Sequence, residues 1–248
     1  MSEASVKKAI QREYLKCADN PQHFMKKYCV IQHPKKGKIK FALYDYQETM
    51  LDEFTSKRYN IILKSRQLGI STLSAGYSLW MMLFHQDKNI LVIATGKDTA
   101  KNLVTKVRVM YDGLPSWLKT SVEETNKLSL RFSNGSQIKA IASNESAGRS
   151  EALSLLILDE AAFIDKVDVI WTAAQQTLAT GGDCIALSTP NGVGNWFHKQ
   201  WVGAEDGTNE FNTIRLHWTN HPDRDQTWRD EQDKILGPSQ AAQECDAD

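Results

Sequence analysis

The chain of 248 residues lacks the features that mark several simple classes of protein. It has only four cysteines, which lie far apart and form no Cys-x-x-Cys pair, so zinc-binding and redox spacings are both absent. It has no net charge, because 30 basic side chains balance 30 acidic ones, and this excludes binding to nucleic acid through bulk charge. A local basic patch could still bind nucleic acid. A composition of 41% hydrophobic and 24% charged residues, without repeats or low-complexity segments, excludes a disordered chain, a collagen and a disulfide scaffold.

Long apolar segments are missing as well. The longest candidate, Leu79 to Phe84, is about a third of the roughly 18–20 residues that a membrane helix needs. The first segment, Met1 to Lys27, is charged and has no apolar run of the kind found in signal peptides. We therefore expect a soluble cytosolic protein whose cysteines are reduced.

Short apolar runs alternate with helical patterns along the chain. The runs are Asn60–Leu63, Asn89–Ala94, Leu153–Leu158 and Cys184–Ser188, and the helical patterns between them are Ser71–His85, Asp98–Tyr111 and Val167–Ala179. Unbroken apolar runs are typical of strands buried on both faces. The sequence therefore predicts an α/β fold with a mainly parallel central sheet flanked by helices. A hairpin is predicted where Leu128–Phe132 and Gln137–Ala142 flank the turn dipeptide Asn134-Gly135.

A loop that could bind phosphate follows the first of these strands. Its sequence is Lys64-Ser65-Arg66-Gln67-Leu68-Gly69-Ile70-Ser71-Thr72, and a helix begins at once. Gly69 and Ser71 match the phosphate-loop pattern, but Ile70 stands at the lysine position and Lys64 at the opening glycine. A single turn glycine is the simpler interpretation of this segment. The free N–H groups of a helix N-terminus, the Ser71 hydroxyl and the cations of the loop favour phosphate.

Two further strand ends carry polar residues. The run Leu155–Leu158 leads into Asp159 and Glu160, which could hold a Mg²⁺-bound water and polarise the attacking water, or else form an ordinary acidic helix start. The run Cys184–Leu187 leads into Ser188 and Thr189, which lie in what could be an ordinary turn. Because the carboxyl ends of parallel strands meet at one edge of a sheet, the loop and the acidic pair fit a single nucleotide site.

A fourth feature lies before the first strand. Tyr44-Asp45-Tyr46-Gln47 opens a helix, and the glutamine amide offers both a donor and acceptors to an adenine edge. The start of an amphipathic helix is the alternative interpretation.

With these four pieces in order, the chain resembles the ATPase domain of the large terminase subunit of tailed bacteriophages. The match rests on Tyr46-Gln47, Lys64–Thr72, Leu155–Phe163 and Ser188–Gly192, and it spans about residues 40–245. The order and spacing of these motifs are specific, although no single one is. The resemblance implies a P-loop NTPase fold of the ASCE type, with Walker A and Walker B motifs and a small accessory subdomain.

The resemblance also implies roles for individual residues. Lys64 to Thr72 would form the nucleotide-binding loop, with Ser71 and Asp159 holding Mg²⁺. Glu160 would be the catalytic carboxylate, and Arg66 resembles the loop arginine that senses or stabilises the γ-phosphate.

Other assignments from the resemblance concern the edges of the site. Gln47 would read adenine with Tyr46 packed nearby, and Ser188-Thr189 would couple hydrolysis to movement. Arg149 is the candidate for an arginine donated to a neighbouring subunit, with a salt bridge inside its own loop as the alternative.

One departure from the family concerns the missing loop lysine. Some terminases carry that lysine at the start of the loop, where Lys64 stands, so Lys64 is predicted to contact phosphate in place of Ile70. A degenerate loop that does not hydrolyse ATP is the alternative. The intact pair of Asp159 and Glu160 favours activity.

The expected organisation has three parts: an N-terminal helical segment over residues 1–38, an ATPase core over 39–212 and a small subdomain over 213–248. The third part is predicted to contain the strand Thr213–Trp218 and the helix Gln226–Leu236, beside which the N-terminal helices could pack. A nuclease domain of the kind found in full-length terminases is expected to be absent, so DNA cleavage is not predicted.

The expected function is Mg²⁺-dependent ATP hydrolysis that drives double-stranded DNA into a viral procapsid. The implied partners are DNA, the portal protein, the small terminase subunit and further copies of the chain in a ring, a pentamer when assembled and a monomer in isolation. The implied location is the host cytoplasm, transiently at the procapsid portal, with no membrane contact. A helicase fragment of superfamily 2, a non-hydrolysing nucleotide-binding module and a DNA-binding structural protein that uses the Lys35–Lys40 cluster are the alternatives.

Overall fold

The computed structural model describes residues 2–143 and 151–248. In this range the strands are β1 (Val30–His33), β2 (Gly37–Lys40), β3 (Tyr59–Lys64), β4 (Asn89–Ala94), β5 (Val122–Asn126), β6 (Ser129–Phe132), β7 (Gln137–Ala142), β8 (Leu155–Asp159), β9 (Asp183–Ser188) and β10 (Asn212–Leu216). The helices are α1 (Glu3–Asp19), α2 (Pro21–Tyr28), α3 (Asp45–Ser56), α4 (Ile70–Phe84), α5 (Lys97–Asp112), α6 (Val167–Leu178), α7 (Trp196–Glu205), α8 (Gln226–Leu236) and α9 (Pro238–Ala241).

The central sheet confirms the predicted α/β architecture. Within the described residues it has eight strands in the order β10-β3-β9-β8-β4-β7-β6-β5, and β1 pairs with β2 in a separate hairpin. The six strands from β10 to β7 run parallel, β6 pairs antiparallel with β7, and β5 pairs antiparallel with β6. The predicted hairpin is the antiparallel pair β6–β7, which joins the sheet through β7 and β4.

Helices cover both faces of the sheet, and each face has its own apolar core. Successive side chains of a strand point to opposite faces, so Ile62 belongs to the core under α3, α4 and α5, whereas Ile61 belongs to the core under α6 and α7. Helix α4 is buried along most of its length, because strands, α2, α3 and α5 surround it. This rigid position fixes the N-terminus of α4 against the edge of the sheet.

The N-terminal helices pack on the core. Phe24 and Met25 of α2 are fully buried, and the indole Nε1 of Trp80 in α4 donates to the Cys17 carbonyl of α1 over 2.8 Å. These helices contact α3 and α4 of the core. Their predicted packing beside the C-terminal segment stays a prediction.

The predicted boundary at residue 213 falls inside a strand of the main sheet. Residues 212–216 form β10, which pairs in parallel with β3 from Asn212 opposite Asn60 to Leu216 opposite Lys64. The strand predicted for the C-terminal part is thus an edge strand of the core, because its backbone completes the open side of β3. Of the described residues in the predicted third part, those after β10, which include α8 and α9, lie outside the sheet.

All four cysteines are free and buried. Among the described residues, no helix is both long enough and apolar enough to span a lipid bilayer.

Candidate functional site

Three neighbouring parallel strands end at the same edge of the sheet and bring the predicted polar residues together. Strand β9 lies between β3 and β8, and the register pairs Leu63 with Ser188 and Leu187 with Asp159. The side chains that follow these strands therefore share one edge, as expected for the carboxyl ends of parallel strands. Residues 64–72 connect β3 to α4 directly above this edge.

The loop between β3 and α4 has a strained backbone that neighbouring side chains hold in place. Gln67 has a φ of 58° and Gly69 a φ of 75°, both in the left-handed region. A Cβ atom on Gly69 would lie 2.8 Å from Gln47 Nε2, so both the backbone angle and the close contact favour glycine. The hydroxyl of Tyr46 and Nε2 of Gln47 both donate to the Leu68 carbonyl, over 2.8 and 3.0 Å.

Gln47 is built into the loop support. Its side chain is buried, its Nε2 donates to Leu68 and its Oε1 accepts from the Tyr44 N–H over 3.2 Å. In the structure, this amide therefore holds the start of α3 against the loop. The adenine contact stays a prediction, and the second N–H of the amide is the donor that it would use.

Lys64 and Glu160 form an ion pair inside the site. Lys64 Nζ lies 2.9 Å from Glu160 Oε1, and the exposed fractions of the two side chains are 7% and 31%. The lysine that the loop carries at its first position therefore reaches the acidic pair at the end of β8. Ile70, at the position where other phosphate loops have lysine, is buried in the apolar core under α4.

Ser71 and Asp159 bring two oxygen ligands together. The Ser71 hydroxyl donates to Asp159 Oδ1 over 3.1 Å. Burial raises the pKa of Asp159 above its ordinary value, and the adjacent Glu160 raises it further, whereas Lys64 and the Ser71 hydroxyl lower it. A divalent cation at this point would offset both the burial and the repulsion of the two carboxylates.

Glu160 has an unusual backbone that directs its side chain into the site. Its φ of 56° is rare for a residue with a Cβ atom, and such strain concentrates at functional positions. The carboxylate is held by Lys64 on one oxygen, while its Oε2 accepts from the Thr189 N–H over 3.3 Å. The Ser188 hydroxyl accepts from the Ala162 N–H over 3.1 Å, which ties the ends of β8 and β9 together.

Arg66 lies on the rim of the site. Its side chain is 67% exposed, and its Nε is 3.3 Å from Glu244 Oε2 in the C-terminal segment. That buried oxygen accepts no hydrogen bond, so the contact is an ion pair without hydrogen-bond geometry. The backbone contact is better formed, because the Arg66 N–H donates to the Glu244 carbonyl over 2.8 Å.

Sequence reasoning missed Arg224, which forms hydrogen bonds with the outer side of the loop. Its guanidinium donates to Ser65 Oγ and to the Arg66 carbonyl over 3.3 and 3.0 Å, and to the Gln67 carbonyl over 3.3 Å. The guanidinium also stacks over the Trp228 ring at 4.3 Å. The sequence around Arg224 gives no indication of contact with a loop about 160 residues earlier.

The loop and Glu160 border an open cavity of about 240 Å³. It is lined by Lys64, Arg66, Gln67, Leu68, Gly69, Ile70, Ser71, Thr72, Lys106 and Glu160. Lys106 of α5 is the second residue that sequence reasoning missed, because a lysine within a helical pattern gives no signal of its own. Arg149, predicted to act on a neighbouring subunit, lies outside the described residues.

Comparisons with known proteins show the family and the fold of the chain. The sequence profile of the family described as "Terminase large subunit, T4likevirus-type, N-terminal" matches residues 61–246. The ATPase domain of the large terminase from Thermus phage P74-26 is similar, with 22% identity, a TM-score of 0.66, and coverage of 84% of this chain and 94% of that one.

Two further solved structures share the fold. The large terminase of another thermophilic bacteriophage, in complex with ADP, has 13% identity and a TM-score of 0.66, and the match covers 82% of this chain and 52% of that one. The UvsW helicase of bacteriophage T4 has 13% identity and a TM-score of 0.52, with coverage of 79% and 66%. At these identities the structural likeness shows the fold alone.

Proposed function

The chain belongs to the terminase large subunits of the T4-like-virus type, whose N-terminal part its residues 61–246 match, and on this premise we propose that it hydrolyses ATP in a DNA-packaging motor. The thermophilic-phage terminase solved with ADP supports nucleotide as the ligand of the shared fold. Movement of double-stranded DNA, and its dependence on Mg²⁺, are part of the proposal.

The observation that carries the proposal is the meeting of Lys64 with Glu160 in the cavity below the loop, 2.9 Å apart. Phosphoryl transfer depends on such fixed charges, because the protein contributes position and electrostatic stabilisation rather than covalent chemistry. The Gly69–Ser71 start of α4 adds free backbone N–H groups that favour phosphate.

The residues present fit a Mg²⁺ ion. The hydroxyl of Ser71 and the buried carboxylate of Asp159 are hard oxygen ligands in hydrogen-bond contact, and they would hold the ion. Bound Mg²⁺ would neutralise charge on the β- and γ-phosphates.

The residues of the chain would divide the reaction between them. Glu160 would orient a water molecule and take its proton as the water oxygen attacks the γ-phosphorus. The bond from that phosphorus to the bridging oxygen breaks, and ADP leaves with the electron pair. Lys64 and Arg66 would stabilise the charge on the transferred group, for which Lys64 must give up part of its contact with Glu160.

Thr189 links this chemistry to the rest of the chain. Its N–H contacts the Glu160 carboxylate, while the next residue, Pro190, accepts from Gln243 Nε2 over 2.7 Å. A change in the position of Glu160 on hydrolysis would therefore reach the C-terminal segment through Ser188-Thr189. We include in the proposal a ring of identical subunits, with Arg149 acting in trans, that contacts the portal protein and the small terminase subunit in the host cytoplasm.

The test is release of phosphate from ATP by the purified chain with Mg²⁺, with and without double-stranded DNA. We expect Glu160→Gln to lower turnover by at least about 10²-fold, because it removes the base but keeps the shape. The exposed carboxylate of Asp165 provides the control, since Asp165→Asn should hydrolyse ATP as the wild type does. Equal turnover of wild type and Glu160→Gln would contradict the assignment. Binding of ATP without turnover, even with DNA and partner proteins, would favour the non-hydrolysing module.

A further inference from the structure

Helix α5 contributes a lysine to the nucleotide cavity that no motif assigns. Lys106 lies on the wall of the cavity together with Ser71, Thr72 and Glu160, and with Thr72 it also lines the neighbouring apolar cavity. Its side chain is half-buried. The helix that carries it packs directly on α4, the helix that begins at the phosphate loop. Lys106 is thus held on a rigid element, at the side of the cavity where Ser71 lies.

The packing of α5 fixes the direction of this face. Leu103, Val107 and Met110 are buried in the core, so the turn of helix that contains Lys106 cannot rotate without exposing them. A lysine in the middle of such a helix can extend its four-carbon stem along apolar surface and keep its ammonium group in the polar cavity. The apolar cavity beside it provides that surface.

The three cationic side chains that line the cavity differ in whether they pair with a carboxylate among the described residues. Lys64 is paired with Glu160, and Arg66 is in an ion pair with Glu244. Among the described residues, Lys106 has no carboxylate within ion-pair distance, although it lines the same cavity. A half-buried lysine on the wall of a polar cavity, with no carboxylate partner in the part of the chain that the structure describes, is suited to an anionic ligand.

Lys106 lies near the acidic end of β8, because it lines the cavity together with Ser71 and Glu160. The Ser71 hydroxyl is in turn 3.1 Å from Asp159 Oδ1. Asp159 and Ser71 are the residues that would hold Mg²⁺, which would neutralise charge on the β- and γ-phosphates. A cation near both residues would therefore lie at the terminal end of the triphosphate.

We propose that Lys106 binds the terminal phosphates of the nucleotide and supplies, from α5, the positive charge that Ile70 does not supply from the loop. The proposal rests on the nucleotide site described above and adds one residue to it. Lys64 would then contact both Glu160 and phosphate, whereas Lys106 would contact phosphate alone.

The test compares charge removal with charge retention at this position. Lys106→Met removes the charge, keeps the length of the stem and preserves helix propensity, whereas Lys106→Arg keeps the charge. Lys101→Met, on the same helix and absent from the lining of the cavity, is the matched control. Dissociation constants for Mg-ATPγS and for inorganic tripolyphosphate are measured for each full-length variant, and thermal unfolding without ligand verifies the fold.

We expect Lys106→Met to bind both ligands about ten- to hundredfold more weakly, since one charge-assisted hydrogen bond is lost. Lys106→Arg should stay within a few-fold of wild type, and Lys101→Met should be unchanged. Wild-type affinity in Lys106→Met, or an equal loss in Lys101→Met, would overturn the proposal.

The result also separates this inference from the proposed function. A wild-type chain that binds both ligands through Lys106 and never hydrolyses ATP supports the inference and contradicts the ATPase. A wild-type chain that binds neither ligand overturns both.

Discussion

Replacement of Lys64 by alanine is the sharpest test of how this loop works without a lysine at position 70. The side chain of Lys64 is 7% exposed, and its Nζ is 2.9 Å from the carboxylate that would orient the water. Its loss would remove the proposed charge-assisted contact with phosphate, which is worth about 1.5–3 kcal/mol, so nucleotide affinity should fall about 10- to 150-fold. It also removes one donor to the transition state, which lowers turnover by about 10²–10³-fold.

The fold should survive this change. A fully buried ion pair costs about 3–5 kcal/mol when one partner is deleted, but Glu160 is 31% exposed and keeps its contact with the Thr189 N–H. The remaining carboxylate can therefore be hydrated, and we expect destabilisation below that range. A cooperative thermal transition measured by circular dichroism would verify it.

The assay combines steady-state release of phosphate with a nucleotide titration, so that turnover and affinity are separated. Lys57→Ala is the control, because this lysine is exposed and lies just before the same strand. Turnover of Lys64→Ala within twofold of wild type would refute the assignment of Lys64 to the phosphate site.

Three further predictions address the surroundings of the site and the stability of the fold. Arg224→Ala should raise the KM for ATP about tenfold, because the loop loses its three outer hydrogen bonds, and Arg224→Lys should not restore it, since an ammonium group cannot fork across them; steady-state kinetics decides. Hydrogen bonds from Lys27, His23 and Tyr28 lower the pKa of Glu13 from 4.5 to about 2, so this carboxylate stabilises the fold above pH 4.5 and the stabilisation is lost as the pH falls toward 2. Glu13→Gln should therefore reduce the change of melting temperature with pH in that window, and an unchanged slope of melting temperature against pH would contradict this. Burial raises the pKa of Asp183 from 3.8 to about 6, so the folded state gains stability from protonation that is lost as the pH rises from about 4 to 6. Asp183→Asn should raise the melting temperature by about 2–4 °C at pH 7 and leave it nearly unchanged at pH 3.5.

The elements of the core could be predicted from the sequence because their signals are local. Unbroken apolar runs gave the buried strands, and the strand predicted at Asn89–Ala94 is β4 with the same ends. The edge that joins Lys64, Asp159 and Ser188 could also be predicted, since parallel strands place their carboxyl ends together.

Contacts between distant segments could not be predicted in this way. Arg224 and Lys106 lie in helical or turn sequences with ordinary composition, and only the fold shows that they face the loop. The strand β10 was predicted, but its place beside β3 was not, because no local pattern records which strand an edge will pair with.

The position of β3 has a consequence for the order in which the chain becomes functional during synthesis. Its two neighbours in the sheet, β9 and β10, are made long after it, and the side chains of Asn60 and Asn212 that meet across β3 and β10 are 152 residues apart. A nascent chain that ends before residue 212 already contains the whole of Lys64–Thr72, yet β3 still has an open edge and the loop lacks the Leu216 carbonyl that receives the Ser65 N–H. Pairing over such sequence distances is slow, because the entropy of loop closure must be overcome first. The candidate site is therefore among the last parts of this domain to form, because the loop after β3 gains its full set of neighbours only once β9 and β10 have been made.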